Sequence, residues 1–258
     1  MRKIAVSGWG NPSDPSIYTV LDVPATRLKA WLDAQNNGRS SKLTETHLVT
    51  AALGRVFAKY PELNRVLIRK TFRQRRNISA FIIVNLRQKG GVDLSGVELP
   101  TVDALSVDQV AEQLLEKSTA LRQNQDPAIR RVQKILSWVP GRMAFYMLRV
   151  MNLFLGTLNL NLSYLGLPRH RFGSFMVSSI GGLGVDNAHI PFFPPARCPF
   201  LVGVPRILDK PVVKEGIVIA EPTLSLYLTL DHRYFDGYET AKALAHLKAL
   251  LQSPETLK

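Results

Sequence analysis

From Ile17 to Val23 the chain reads IYTVLDV, apolar and polar positions in alternation, the period of two that a half-buried strand requires. Pro24 then opens ATRLKAWLDAQ, whose pattern is helical. Ser40 to Lys42 is a polar turn, and Thr44 stands as N-cap to ETHLVTAALGRVFAKY, where Leu48, Ala51, Ala52 and Val56 recur at three and four positions until Pro61 stops the helix. Between Arg65 and Leu86 the runs RVLIRKTF and NISAFIIVNL, separated by the polar QRR, predict one hairpin with a basic tip. Ser106 and Gln109 have the spacing of a capping box and predict a helix to about Gln125, and Asp126-Pro127 repeats the start signal for another to about Trp138. The C-terminal third holds SFMVSSIGG, PFLVGV, GIVIA and LSLYLTL as strands, then a last helix from about Thr240 to Gln252. Long helices mixed with short strands and hairpins predict an α/β sandwich, with helices packed on a mixed, largely antiparallel sheet.

One stretch breaks the pattern. Ile135 to Leu167, ILSWVPGRMAFYMLRVMNLFLGTLNLNLSYLGL, is too apolar for a loop, yet Pro140, Arg142, Arg149 and its asparagines keep every run short of the roughly 18 to 20 apolar residues of a membrane span. A buried helix, an oligomer contact and the wall of an acyl-chain pocket are all compatible with it. So is peripheral membrane contact, because an apolar face carrying Arg142 and Arg149 suits a lipid surface.

Composition adds two restrictions. The 258 residues carry 33 Lys and Arg against 20 Asp and Glu, a formal charge of +13, so the surface attracts phosphates, acidic proteins or anionic lipid. The basic residues Arg73, Arg75 and Arg76 form either a solvated face or a contact for such phosphates. No aromatic stacking platform accompanies the charge, and a nucleic-acid partner is not expected. The single cysteine, Cys198, excludes an internal disulfide framework and a multi-cysteine zinc site; no metal is expected, and a reducing cytoplasm fits. The N-terminal MRKIAVSGWGNPSDPS has no apolar run of signal-peptide length, so the expected location is cytoplasmic with no export.

Candidate chemistry lies at the end of the last strand, LTLDHRYFDGYETAKAL: His232, then Asp236 and Gly237. A lone His-x-x-x-Asp is most often a satisfied core histidine. Here the hexapeptide HRYFDG resembles the H-x-x-x-D-G signature of the catalytic domain of the dihydrolipoamide acyltransferases of 2-oxoacid dehydrogenase complexes, and of the related chloramphenicol acetyltransferases. The run SFMVSSIGGLGVDNAHIPFFPPARCPFLVGV is similar to that family's T-x-S-N/S-x-G-x-x-G block with its proline loop and strand, and PSIYTVLDVPATRLKAWLDA with KLTETHLVTAALGRVFAKYPELNRVL to its first strand and helices. The match is weakest from about Val92 to Leu167.

The resemblance implies one chloramphenicol acetyltransferase-like domain over residues 1–258, an α/β two-layer sandwich with helices on one face and an atypical apolar insert at about 135–167. It implies acyl transfer from a thioester donor, held by coenzyme A, lipoamide or a carrier protein, to a thiol, hydroxyl or amine, without a covalently bound cofactor or acyl-enzyme. Such a transfer needs a base for the acceptor's proton and a donor for the developing oxyanion, and a neutral imidazole suits the first role. The resemblance assigns His232 as base, Ser178 as oxyanion donor with Ser179 as the neighbouring alternative, and Asp236 as a structural acid that pairs with an arginine and holds the histidine loop. It places Gly181, Gly182 and Arg233 at the substrate and gives Gly237 the tight turn into the last helix. The remaining histidines, His47, His170, His189 and His246, read as surface or structural.

Departures from the family qualify the partners. No lipoyl or subunit-binding domain is legible, so the donor is expected to arrive free or on a separate lipoyl or acidic carrier protein. Where the family has a G-L-x-x-P-V strand, this chain has LRQKGGVDLSGVELPTVDAL; with the apolar insert, the change implies a longer or lipid-like acyl group. The family's assembly implies a homotrimer with sites between chains. The competing reading is a scaffold or binding subunit that keeps the fold without catalysis. A condensation-like domain, which shares the motif, is disfavoured because Asp231 stands where that family has a second histidine and the length allows one copy of the fold.

Overall fold

The computed structural model describes residues 14–88, 91–124, 170–192 and 196–258, with isolated positions and one short piece between 140 and 161. The expected strand and first two helices are present as β1 (Ser16–Pro24), α1 (Thr26–Asn36) and α2 (Glu45–Lys59). The expected hairpin is divided. β2 (Arg65–Ile68) and β3 (Thr71–Gln74) pair with each other through a turn at Arg69 and Lys70, both at positive φ, while β4 (Ala80–Gln88) joins the main sheet beside β5 (Gly91–Leu99). The turn is therefore at Arg69-Lys70 and not at QRR, and Arg75 reaches inward, donating to the carbonyls of Arg65 and Arg197. The Ser106–Gln109 capping box is made in both directions and starts α3 (Val107–Asn124). The helix expected after Asp126 lies outside the described residues, as does most of the apolar insert. No helix among the described residues is long and apolar enough to cross a membrane.

The C-terminal strands are β6 (Phe175–Ser179), β7 (Phe200–Val204), β8 (Leu208–Lys214) and β9 (Ile217–Asp231), followed by α4 (Gly237–Gln252). GIVIA and LSLYLTL are thus one strand, whose first half forms a ribbon with β8 and whose second half lies between β1 and β7. The main sheet runs β1-β9-β7-β6-β4-β5, parallel where β6 meets β4 and β7 and antiparallel elsewhere. Alternation sends Val23, Leu226, Leu228, Leu230, Val202, Val177 and Ile82 into one core with the helices. The other face carries no helix among the described residues; Phe81, Met176 and Leu201 there pack with Ala196, Cys198, Phe172, Ile190 and Phe192 from the flanking loops. Cys198 is buried, and burial pushes its thiol up to about 11, which leaves it an inert packing group.

Thr44 caps α2 as expected, but its reciprocal partner is His47: the Thr44 N–H donates to Nδ1 at 3.1 Å. Burial holds the His47 pKa down at about 4 against an ordinary 6.5, and a protonated Nδ1 can no longer accept from the cap. The neutral ring is what the fold favours, so this contribution is complete above pH 6.5 and is lost as pH falls through 6.5 towards 4. The expected loss is about 3 kcal/mol. Urea midpoints measured across that window should fall for the native protein and flatten for His47→Gln.

Candidate active site

β9 delivers its last residue, Asp231, to the helix-free face and the chain then turns tightly: the amides of Tyr234 and Phe235 both donate to the Asp231 carbonyl, at 2.9 and 3.3 Å. Phe235 is fully buried edge-on against Phe200. Tyr234 is buried under Phe72, and its hydroxyl accepts the Leu67 amide at 2.8 Å, so the β2–β3 hairpin props the turn from below. With those two rings locked, His232, two residues before Tyr234, is left half-buried, its amide donating to the Pro15 carbonyl. Its Nδ1 lies 2.9 Å from the Phe235 carbonyl. A carbonyl only accepts, so Nδ1 carries the proton of the neutral ring and Nε2 is the basic nitrogen.

Among the described residues Asp236 pairs with no arginine. It is the N-cap of α4, accepting the Glu239 amide at 2.8 Å. The arginine pair is made one residue before the histidine: Arg233 donates to Asp231 through Nε at 3.0 and 3.2 Å, through Nη2 at 2.6 Å and through its amide at 2.9 Å. Asp231 is 5% exposed, and its carboxylate in turn raises the Arg233 pKa. Arg233, expected at the substrate, is thus committed to bracing the turn around His232. The signal was legible: a carboxylate ending a buried strand needs a partner, and Arg233 stands two residues on. Gly237 opens α4 without positive φ and with nothing within 4 Å of an added Cβ, so it does not serve the tight turn expected of it.

Ser178 is 8% exposed near the end of β6, on the helix-free face, and its hydroxyl makes no hydrogen bond among the described residues. Ser179 is half-buried beside it. The following glycines form a 3-10 turn pinned against the chain leaving β7: an added Cβ at Gly181 would lie 2.7 Å from the Arg206 amide nitrogen, the Ile180 amide donates to Val204, and Arg206 pairs with Asp186 at 3.0 Å. Gly181 is therefore required for close packing, whereas Gly182 is exposed.

Within one chain these two halves do not meet. Ser178 is in register with Gly203, and Gly203 with Tyr227, five residues before His232. At strand geometry that separates the two along the sheet by about 16 Å, with two strand spacings of about 5 Å across it. His232 and Ser178 stand at opposite ends of the strands that carry them.

This helix-free sheet face, the histidine turn and the pinned glycine turn can be set beside known proteins. Residues 169–258 match the family model for 2-oxoacid dehydrogenases acyltransferase (catalytic domain). The dihydrolipoyllysine-residue acetyltransferase component of the pyruvate dehydrogenase complex of Staphylococcus aureus is 46% identical over 57 residues, which cover 22% of this chain and 13% of the relative. The chain thus matches only a small part of the length of these relatives. By fold the likeness extends over the whole molecule. A probable dihydrolipoamide acetyltransferase from Listeria monocytogenes superposes at a TM-score of 0.66 with 18% identity, covering 98% of this chain and 89% of that one. The dihydrolipoamide acetyltransferase of Azotobacter vinelandii superposes at 0.67 with 18% identity, covering 95% and 84%; there the roles of a serine, a histidine and an asparagine in the catalytic mechanism were investigated. The chain has the acyltransferase catalytic-core fold that the resemblance implied.

Proposed function

We propose that the protein moves an acyl group from a thioester, on coenzyme A, lipoamide or a carrier protein, to a thiol, hydroxyl or amine. The observation that carries this reading is the tautomer of His232, whose Nδ1 faces the Phe235 carbonyl so that Nε2 is the base. Nε2 takes the proton of the acceptor, the acceptor atom attacks the thioester carbonyl directly, and the Ser178 hydroxyl donates to the oxyanion. As the carbon–sulfur bond breaks, the imidazolium returns the proton to the departing thiolate.

Because Ser178 and His232 lie at opposite ends of one sheet, the working site consists of His232 from one chain and Ser178 from another. A contact of that kind joins unlike ends and closes as a ring, here a homotrimer. The β8–β9 ribbon offers apolar surface for it, with Val213, Ile217 and Val218 at 70, 66 and 67% exposed. Within the apolar insert Met143, Tyr146 and Val150 are exposed as well and suit a longer acyl group or a lipid surface.

Thiol release from acyl-coenzyme A donors, acetyl through palmitoyl, with dihydrolipoamide, alcohols and amines as acceptors, tests the activity. Turnover that rises with chain length is the expected profile. Acetyl donors turning over far faster than long ones would remove the lipid-like donor, and silence with every donor would leave the scaffold.

A further inference from the structure

A second histidine on the same sheet face has its ring set as that of His232 is. His189 lies in the loop after the glycine turn, half-buried, with Nδ1 at 3.2 Å from the Leu228 carbonyl. The neutral ring therefore carries its proton on Nδ1, and Nε2 is an acceptor that makes no hydrogen bond among the described residues. The imidazole stands edge-on between two tyrosines, Tyr18 at 5.1 Å and Tyr227 at 5.3 Å between ring centres. Tyr227 is itself fixed by its hydroxyl bond to Asn187. Packing alone does not call for a basic nitrogen here, since a phenyl ring would meet both tyrosines equally well.

The position relates to Ser178. The carbonyl of Ala188, the residue before His189, lies over Gly203, 3.0 Å from where a Cβ would be. Gly203 is the register partner of Ser178 on one side and of Tyr227 on the other. The His189 ring itself lies over β9, between Tyr227 and Tyr18 of β1, and is thus about two strand spacings, roughly 10 Å, across the sheet from the oxyanion serine. Tyr18 beside it, on the edge strand β1, is 52% exposed.

We propose that His189 binds the acyl acceptor: Nε2 accepts a hydrogen bond from an N–H or O–H group that lies about 10 Å along the acceptor from its reacting atom, and so sets that atom beside Ser178. The inference rests on the acyl-transfer reading above and narrows its substrate to acceptors that carry such a donor, an amide or a second hydroxyl. Apolar thiols lack it.

The test compares dihydrolipoamide, which has an amide, with propanedithiol, which has no donor besides its thiols. His189→Phe should raise KM for dihydrolipoamide about tenfold, the worth of one hydrogen bond, with kcat unchanged and KM for propanedithiol unchanged. His189→Gln, which can still donate to Leu228 and accept from substrate, should recover most of the loss. Equal KM changes for both acceptors, a fall in kcat alone, or no change would overturn the assignment. Calorimetric binding of dihydrolipoamide separates this from the activity. If the native protein binds it about tenfold more tightly than His189→Phe but turns nothing over, acyl transfer fails and the His189 contact stands. If the native protein turns over while both bind alike, or if it does not bind, the contact fails.

Discussion

His232→Ala is expected to lower kcat by a factor of about 10² to 10⁴, the usual worth of a positioned general base, with KM for the thioester little changed. The side chain is half-buried, and the turn is held by the buried rings of Tyr234 and Phe235 that follow Arg233, so the variant should fold and assemble as the native protein does. Steady-state kinetics with the best donor of the acyl-coenzyme A series measures it. A variant that keeps native kcat would show that the imidazole is only a strand-end residue. Ser178→Ala should cost about 10² to 10³ by the same measurement, as loss of one oxyanion donor does.

Arg233→Met should produce the largest loss of stability in this region. It strands the Asp231 carboxylate, 5% exposed, without its cation. A fully buried pair broken in this way costs about 3 to 5 kcal/mol; the Arg233 side chain keeps 34% of its surface in solvent, so about 2 kcal/mol is expected. Activity should fall further than stability alone explains, because the turn that orients His232 is braced by the same pair. Combining Arg233→Met with Asp231→Asn removes the stranded charge and should restore most of the stability, measured as urea midpoints over the double-mutant cycle. Additive losses would mean that the pair is not coupled.

Much of this was legible where local rules act alone. β1 follows from IYTVLDV because one face packs on helices and the other does not, and the Thr44 N-cap and the Ser106–Gln109 capping box follow from residue type and spacing, whereas His47 as the reciprocal partner of Thr44 does not. Pairing was not legible. The β2–β3 turn uses Arg69 and Lys70 at positive φ in place of a glycine or asparagine, so the hairpin was assigned across QRR. β5 was missed because KGGVDLSGVEL has too few apolar residues to announce a strand, and β9 was divided because Glu221-Pro222 interrupts it where it passes from the ribbon into the sheet. His232 and Ser178 were found by resemblance, but that they lie at opposite ends of the sheet depends on strand order, which no motif encodes. The exchange of roles between Asp231 and Asp236 has a physical origin. Asp236 begins a helix whose first amides need an acceptor, while Asp231 ends a buried strand and needs a cation.

The measurement closest to the central claim mixes two dead chains. His232→Ala and Ser178→Ala are each purified, unfolded together in equal amounts and refolded, and thiol release is compared with that of either variant refolded alone. If the site lies between chains, interfaces that take His232 from the serine variant and Ser178 from the histidine variant are intact, and about a quarter of the native activity should return. Activity no greater than the sum of the two separate variants, with mixed assemblies present, would place the whole reaction within one chain and contradict the account.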